Sequence, residues 1–103
     1  MGDYSLPMKF DRMIHQPSRL AIMALLAGCE SADFAYLLKE TNLNKGTLSK
    51  HLSNLAEAGY IEIVKTFKGK YPNTSAALTP KGRRAFKKYR RQYRKFSKSI
   101  DDD

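Results

Sequence analysis

Asn42-Leu43-Asn44-Lys45-Gly46-Thr47-Leu48-Ser49-Lys50-His51-Leu52-Ser53-Asn54-Leu55 decides the fold. Asn44 is a residue type that caps helices, because its short side chain can accept a hydrogen bond from an unpaired first-turn N–H. From Lys45 onward only Leu48, Leu52 and Leu55 are strongly apolar. At about 100° per residue these three fall on one side of a helix. The opposite arc is centred on Gly46, Lys50, Ser53 and Asn54, flanked by Thr47 and Ser49, with His51 near the leucine edge. Such a helix is clamped to a core along a narrow stripe and keeps a polar side for a partner. Gly46 costs about 1 kcal/mol of helix propensity, which suggests that a partner comes close to the backbone there.

The helix is expected to end at Ala58, with Gly59 as its left-handed stop. Residues 60 to 67 then change period: Ile61 and Ile63 alternate with Glu62 and Val64, which predicts a strand. Lys68-Gly69-Lys70-Tyr71-Pro72-Asn73 reads as a turn-rich connector, and 74–78 as the returning strand of a hairpin. Thr79-Pro80 is a strong helix start, Thr as cap and Pro at the first helical position. The helix after it is expected over 80–100. Upstream, 4–15 reads as a short helix with Leu6, Phe10, Met13 and Ile14 near one face. Pro17 interrupts and Ser18 is a candidate cap. A mostly buried helix then covers 19–27 and closes at Gly28, Ser31-Ala32 reads as short and extended, and Asp33 caps another helix over 34–41. Three helices, a two-stranded hairpin and a long helix make a mainly α chain with a small antiparallel β-hairpin. That is the plan of a winged helix-turn-helix with an extended C-terminal helix. One domain is expected over 1–103, with its core over 18–80.

Composition narrows the function. A chain of 103 residues, 42% hydrophobic, holds one small core. The longest apolar run, 20–27, is too short to cross a bilayer, so no membrane role is expected. The N-terminus lacks the basic-then-apolar pattern of a signal peptide. The single Cys29 suits a reducing compartment and precludes an internal disulfide, so a cytoplasmic location is expected. Cys29, His15 and His51 lack the paired spacing of a zinc site, and no nucleophile has an evident base. Neither a metal, a cofactor nor an enzymatic activity is expected.

The net charge of +9 is concentrated. Residues 1–80 carry nine basic and seven acidic side chains, whereas 81–98 carry ten basic and none acidic. A basic surface favours polyanions. In the same segment Gly82, Phe86, Tyr89, Tyr93, Phe96 and Ile100 recur at intervals of four, three, four, three and four, the spacing of a coiled-coil seam. At about 1.5 Å per residue, Ile100 lies roughly 27 Å from Gly82, beyond what one small core covers. A homodimer is therefore expected, its contact built from Phe86, Tyr89, Tyr93, Phe96 and Ile100 with Phe10 and Met13 of the N-terminal segment.

Residues 18 to about 89 resemble the small stand-alone winged-helix DNA-binding domains related to the MarR and ArsR regulators. The matching pieces are Arg19-Leu20-Ala21-Ile22, Phe34-Ala35-Tyr36-Leu37, Gly46 to Leu52, Leu55-Ala56-Glu57-Ala58-Gly59-Tyr60 and Leu78-Thr79-Pro80-Lys81-Gly82. The resemblance implies a dimeric transcription regulator whose third core helix enters the major groove of double-stranded DNA. It places Lys45, Thr47, Ser49, Lys50 and Asn54 toward the duplex. The arginine that often tips a MarR-like wing has no match here; Lys68 and Lys70 take its place, better suited to phosphate than to bidentate base reading. The Cys-x-Cys pair of ArsR metal sensors is absent.

The expected DNA-facing set is thus Lys45, Gly46, Thr47, Ser49, Lys50, His51, Ser53 and Asn54 on the helix, with Lys68 and Lys70 on the wing. Lys50 and Asn54 are the candidates for base edges, Thr47 and Ser49 for phosphates. The resulting expectation is a sequence-selective regulator, a repressor by family habit. A small-molecule effector is neither required nor excluded by any residue. Two rivals use the same fold. A protein-interaction module would show no salt-dependent affinity for duplex DNA. A non-specific architectural protein would depend on Arg83, Arg84, Lys87 and Lys88 rather than on Lys50 and Asn54.

Overall fold

A computed structural model describes residues 9–101. Its elements are α1 (Pro17–Ala27), β1 (Ala32–Asp33), α2 (Phe34–Thr41), α3 (Lys45–Glu57), β2 (Ile61–Lys68), β3 (Tyr71–Leu78) and α4 (Pro80–Asp101). The antiparallel sheet has the order β1-β3-β2. The core is the leucine stripe of α3 closed against Ile22, Met23 and Leu26 of α1, Leu37 of α2, Ile61 and Ala76 of the sheet, and Phe86 and Tyr89 of α4.

Three helix starts follow the local chemistry read from the sequence. Asp33 Oδ1 accepts from Tyr36 N at 2.9 Å, Asn44 Oδ1 from Thr47 N at 2.8 Å, and Thr79 Oγ1 from Gly82 N at 3.0 Å. Each such cap contributes about 1 kcal/mol. The end of α3 also follows expectation. Gly59 has φ +82°, its N–H reaches Ala56 O, and Tyr60 N reaches Leu55 O, the paired bonds that close a helix through a left-handed residue.

Four expectations need correction. The cap of α1 is Gln16, whose side chain accepts from Arg19 N at 2.8 Å, not Ser18. Pro17 occupies the first helical position, where its missing N–H costs nothing, so the cap must precede it. The helix expected over 4–15 falls partly outside the described residues. From residue 10 onward the chain forms bends and turns instead. Asp11 drives this, taking Ile14 N and His15 N on its carbonyl and Met13 N on its carboxylate. The hairpin carries a third strand, since Ala32 and Asp33 pair with Ala76 and Ser75.

The fourth correction concerns the wing. Its strands run on to Lys68 and Tyr71, so only Gly69 and Lys70 form the turn. Gly69 has φ +63° while no positive φ occurs at Lys70, the pattern of a II′ hairpin turn. Pro72 fits inside β3 because it faces Phe67, next to the closing Lys68–Tyr71 pair. In an alternating antiparallel ladder that position donates nothing to its neighbour.

The N-terminal segment straps the body to α4. Phe10, 4% exposed, stacks on His15 at 4.7 Å and lies 5.2 Å from the Tyr89 ring and 6.1 Å, edge-on, from Phe96. His15 Nδ1 lies 2.7 Å from the Tyr89 hydroxyl. At a second point Tyr60 donates its hydroxyl to Asp11. Burial first, and then that bond to the carboxylate, push the phenol up to about 12.

Candidate nucleic-acid interface

Leu48, Leu52 and Leu55 are at most 3% exposed, so the rotation of α3 is fixed by its back. Its front is open: Lys45, Gly46, Ser49, Lys50 and Ser53 are exposed, while Thr47, His51 and Asn54 are half-buried. The two flanks differ. Ser49 and Ser53 line a depression of about 240 Å³ shared with Phe34, Ile63, Lys65 and Thr74, on the hairpin side. Asn54 borders one of about 250 Å³ with Met13, Glu57 and Ala58, against the N-terminal strap. Lys50 therefore stands at the centre of the open face and Asn54 at its margin.

His51 lies on the strap side, its Nδ1 3.5 Å from Arg19 Nη1. Arg19 is itself held by Met13 O, 2.6 Å from its Nε. Burial foremost, then the charges of Arg19 and Lys50, hold the His51 pKa below the ordinary 6.5. The ring is thus neutral at pH 7 and placed to accept from the guanidinium.

Gly46 has no internal steric reason to be glycine. A Cβ there would meet only Asn44 Oδ1, at an ordinary 3.6 Å. The propensity cost of about 1 kcal/mol is offset by nothing within the chain, in keeping with close approach of a partner from outside.

On the wing, Lys70 sits in the turn. Lys68 turns back toward Asp33, 3.8 Å away, but its side chain is 72% exposed, and such a surface pair holds it weakly. Two wing residues escaped the sequence reading. Lys65 and Phe67 continue the face begun by the buried Ile61 and the half-buried Ile63, because alternate strand residues share a side. Where the hairpin outruns the body, that face becomes surface: Lys65 is exposed, and Phe67 is 74% exposed. The alternation in the sequence carried this signal.

The apolar seam of α4 divides in two. Phe86 and Tyr89 are buried in the chain's own core, as is Phe10, and these three are not available to a second copy to the extent expected from sequence. Met13 and Phe96 are half-buried against the same cluster. Tyr93 and Ile100 remain about half exposed. Beside them runs an apolar trough of about 410 Å³ between Leu20 of α1 and Phe86, Tyr89 and Tyr93 of α4, rimmed by Arg90 and Arg94.

A capped helix with a buried leucine back and an open polar front, beside a projecting hairpin, defines a winged helix-turn-helix. The chain belongs to the winged helix DNA-binding domain family, whose model matches residues 18–96. An uncharacterised protein of Methanocaldococcus jannaschii is 42% identical over 84 residues, which cover 81% of this chain and 90% of that protein. Among solved structures, a transcriptional regulator homologue from Pyrococcus horikoshii superposes with a TM-score of 0.84 at 26% identity, covering 91% of this chain and 92% of its own. A MarR-family transcriptional regulator from Silicibacter pomeroyi gives 0.64 at 20% identity over 94% of this chain and 62% of that one. NadR, solved in complex with 4-hydroxyphenylacetate, gives 0.70 at 18% over 95% and 72%; these last two likenesses are of fold alone. No helix among the described residues is long and apolar enough to cross a membrane.

Proposed function

We propose that the protein is a homodimeric, sequence-selective regulator that binds double-stranded DNA and represses transcription by occupying a promoter. The single observation behind this is the α3 front: Lys45, Gly46, Ser49, Lys50 and Ser53 are left uncovered by the chain itself while the leucines behind them are locked in the core. Lys50 reads a base edge, guanine being the natural acceptor for its ammonium. Ser49, Ser53 and Thr47 hold phosphates and fix the register. Gly46 lets the helix start approach the backbone. Asn54, at the margin, makes a secondary base contact, and neutral His51 holds Arg19 against the strap side of the groove. The wing lays Lys65, Lys68 and Lys70 along the flanking phosphates, with Phe67 against the sugar edge.

The second copy packs on Tyr93, Ile100 and the trough beside α1. A two-fold dimer places its half-sites about 34 Å apart, one turn of the duplex.

Selection of bound duplexes from a random pool tests the reading, run on the wild type, Lys50→Ala and Asn54→Ala. A two-fold consensus is expected, losing preference at one base pair per half-site in Lys50→Ala and changing less in Asn54→Ala. Discrimination at that pair should drop by about 1–3 kcal/mol. An unenriched pool, or an unaltered consensus in both variants, moves the protein to non-specific binding or to a protein partner.

A further inference from the structure

We propose that the outward face of α4 is a second DNA-binding surface that takes a separate duplex, so that the protein bridges two duplexes. The inference rests on the reading of α3 and the wing as the first contact.

Charge on α4 is sorted by angle. With the seam from Gly82 to Ile100 on one side, all ten lysines and arginines between 81 and 98 fall on the remaining arc. Arg84, Arg91 and Lys95 stand about half a turn from the seam and Lys88 about a third of a turn, and all four are exposed. A second copy seated on the seam leaves them open to solvent. Among the described residues the one ion pair is Lys68–Asp33; the one carboxylate on α4 itself, Asp101 at its end, accepts from Ser97 Oγ rather than from a lysine or arginine. Arg84 and Lys88, Lys87 and Arg91, and Arg91 and Lys95 are like charges four apart, each pair costing a helix about 0.2–0.5 kcal/mol. A helix that only needed to be soluble would mix its signs. Ten charges along 18 residues, at about 1.5 Å per residue, give one per roughly 2.7 Å, of the same order as the linear charge of duplex DNA at about one per 1.7 Å.

Position makes the duplex a separate one. β3 runs from the wing tip straight into α4. Its 8 residues span about 27 Å as a strand, and the 22 of α4 about 33 Å as a helix. The long axis of the protein is 60 Å, so the two lie nearly end to end. Ser49 and Ser53 of α3 lie beside the hairpin residues Lys65 and Thr74, so the α3 front belongs to the wing half. The cationic stretch of α4 projects the other way. A duplex held by α3 and the wing leaves that stretch unsatisfied, and a second polyanion of comparable charge density fits it.

The test uses the full chain, a duplex fixed to beads and a second, fluorescent duplex in solution. Affinity for a single short duplex is measured separately by anisotropy. The variant is Arg84→Glu, Lys88→Glu, Arg91→Glu and Lys95→Glu together, with the same four changed to Gln as a milder form. Wild type should capture the fluorescent duplex, with capture falling steeply as salt rises. In the variants capture should drop about tenfold or more, while affinity for the single duplex stays within about threefold. Four outcomes overturn the proposal: no capture by wild type; undiminished capture by both variants; parallel loss of single-duplex binding; or recruitment of anionic phosphatidylglycerol vesicles in place of the second duplex. Failure of the base-reading assignment would appear in the selection experiment and leave the capture readout intact, so the two can be told apart.

Discussion

Gly82→Ala sets two effects of opposite sign against each other. Gly82 sits in the first turn of α4, where alanine would raise helix propensity by at most about 1 kcal/mol. A Cβ there, however, would lie 1.9 Å from Tyr60 O, 2.7 Å from Tyr60 C and 2.9 Å from Tyr60 Cα. Close carbon–oxygen contacts stop at about 3.3 Å, so α4 and the α3–β2 corner must separate by more than about 1 Å. The obstacle is backbone and cannot turn away. Tyr60 O also accepts from Thr79 N at 3.1 Å, and Thr79 Oγ1 donates to Gly59 O at 2.6 Å. Overpacking costs about 1–3 kcal/mol, and this case belongs at the upper end. A net loss of about 2 kcal/mol is expected, lowering Tm by roughly 8–16 °C. Urea and thermal unfolding followed by circular dichroism measure it, with Arg83→Ala as the exposed neighbour control. Gly82→Ala matching or exceeding wild-type stability would refute the reasoning.

Two further outcomes follow from the geometry. Because the His51 pKa is depressed on folding, protonation favours the unfolded chain. The stability it contributes is full above about pH 6.5 and is lost as pH falls through the lower folded value. The urea midpoint should therefore fall between neutral and mildly acidic pH, and His51→Gln should lessen the fall; an identical decline in the variant counts against the assignment. Tyr93→Glu with Ile100→Glu, both about half exposed in one chain, should turn a dimer into a folded monomer in sedimentation. A wild type that is already monomeric, or a double variant that still pairs, removes α4 from the interface.

What the sequence disclosed was what short-range chemistry decides. Asp33, Asn44 and Thr79 begin helices because each accepts from an N–H three residues on. The leucine stripe fixed which way α3 faces. Gln16 was missed because a longer amide seldom caps, and here Pro17 selects it. Phe10, Met13 and Ile14 have helical spacing, yet Asp11 turns the chain and Phe10 finds its partners on α4, 79 and 86 residues away in sequence. No local pattern encodes that. Ser31-Ala32 reads as extended, but the two-residue β1 is too short for any periodicity to show that it pairs with β3, and Tyr71-Pro72-Asn73 reads as loop because those residues tolerate an edge strand as well as a turn. The exposure of Lys65 and Phe67 depended on how far the hairpin overshoots the body, a length set by pairing rather than by residue type.

The hairpin is anchored along its inner half, where Ile61 faces Leu78, Ala32 and Asp33 pair with Ala76 and Ser75, and Thr79 reaches back to Gly59. Its outer rungs, Thr66–Asn73 to Lys68–Tyr71, project like a cantilever, with the weak, exposed Lys68–Asp33 pair reaching back from the tip. Evolution can lengthen or trim that beam two residues per strand without disturbing its root, whereas an odd step would turn its lysines and Phe67 to the other side. Reach across a duplex can thus drift among relatives while the domain beneath stays the same.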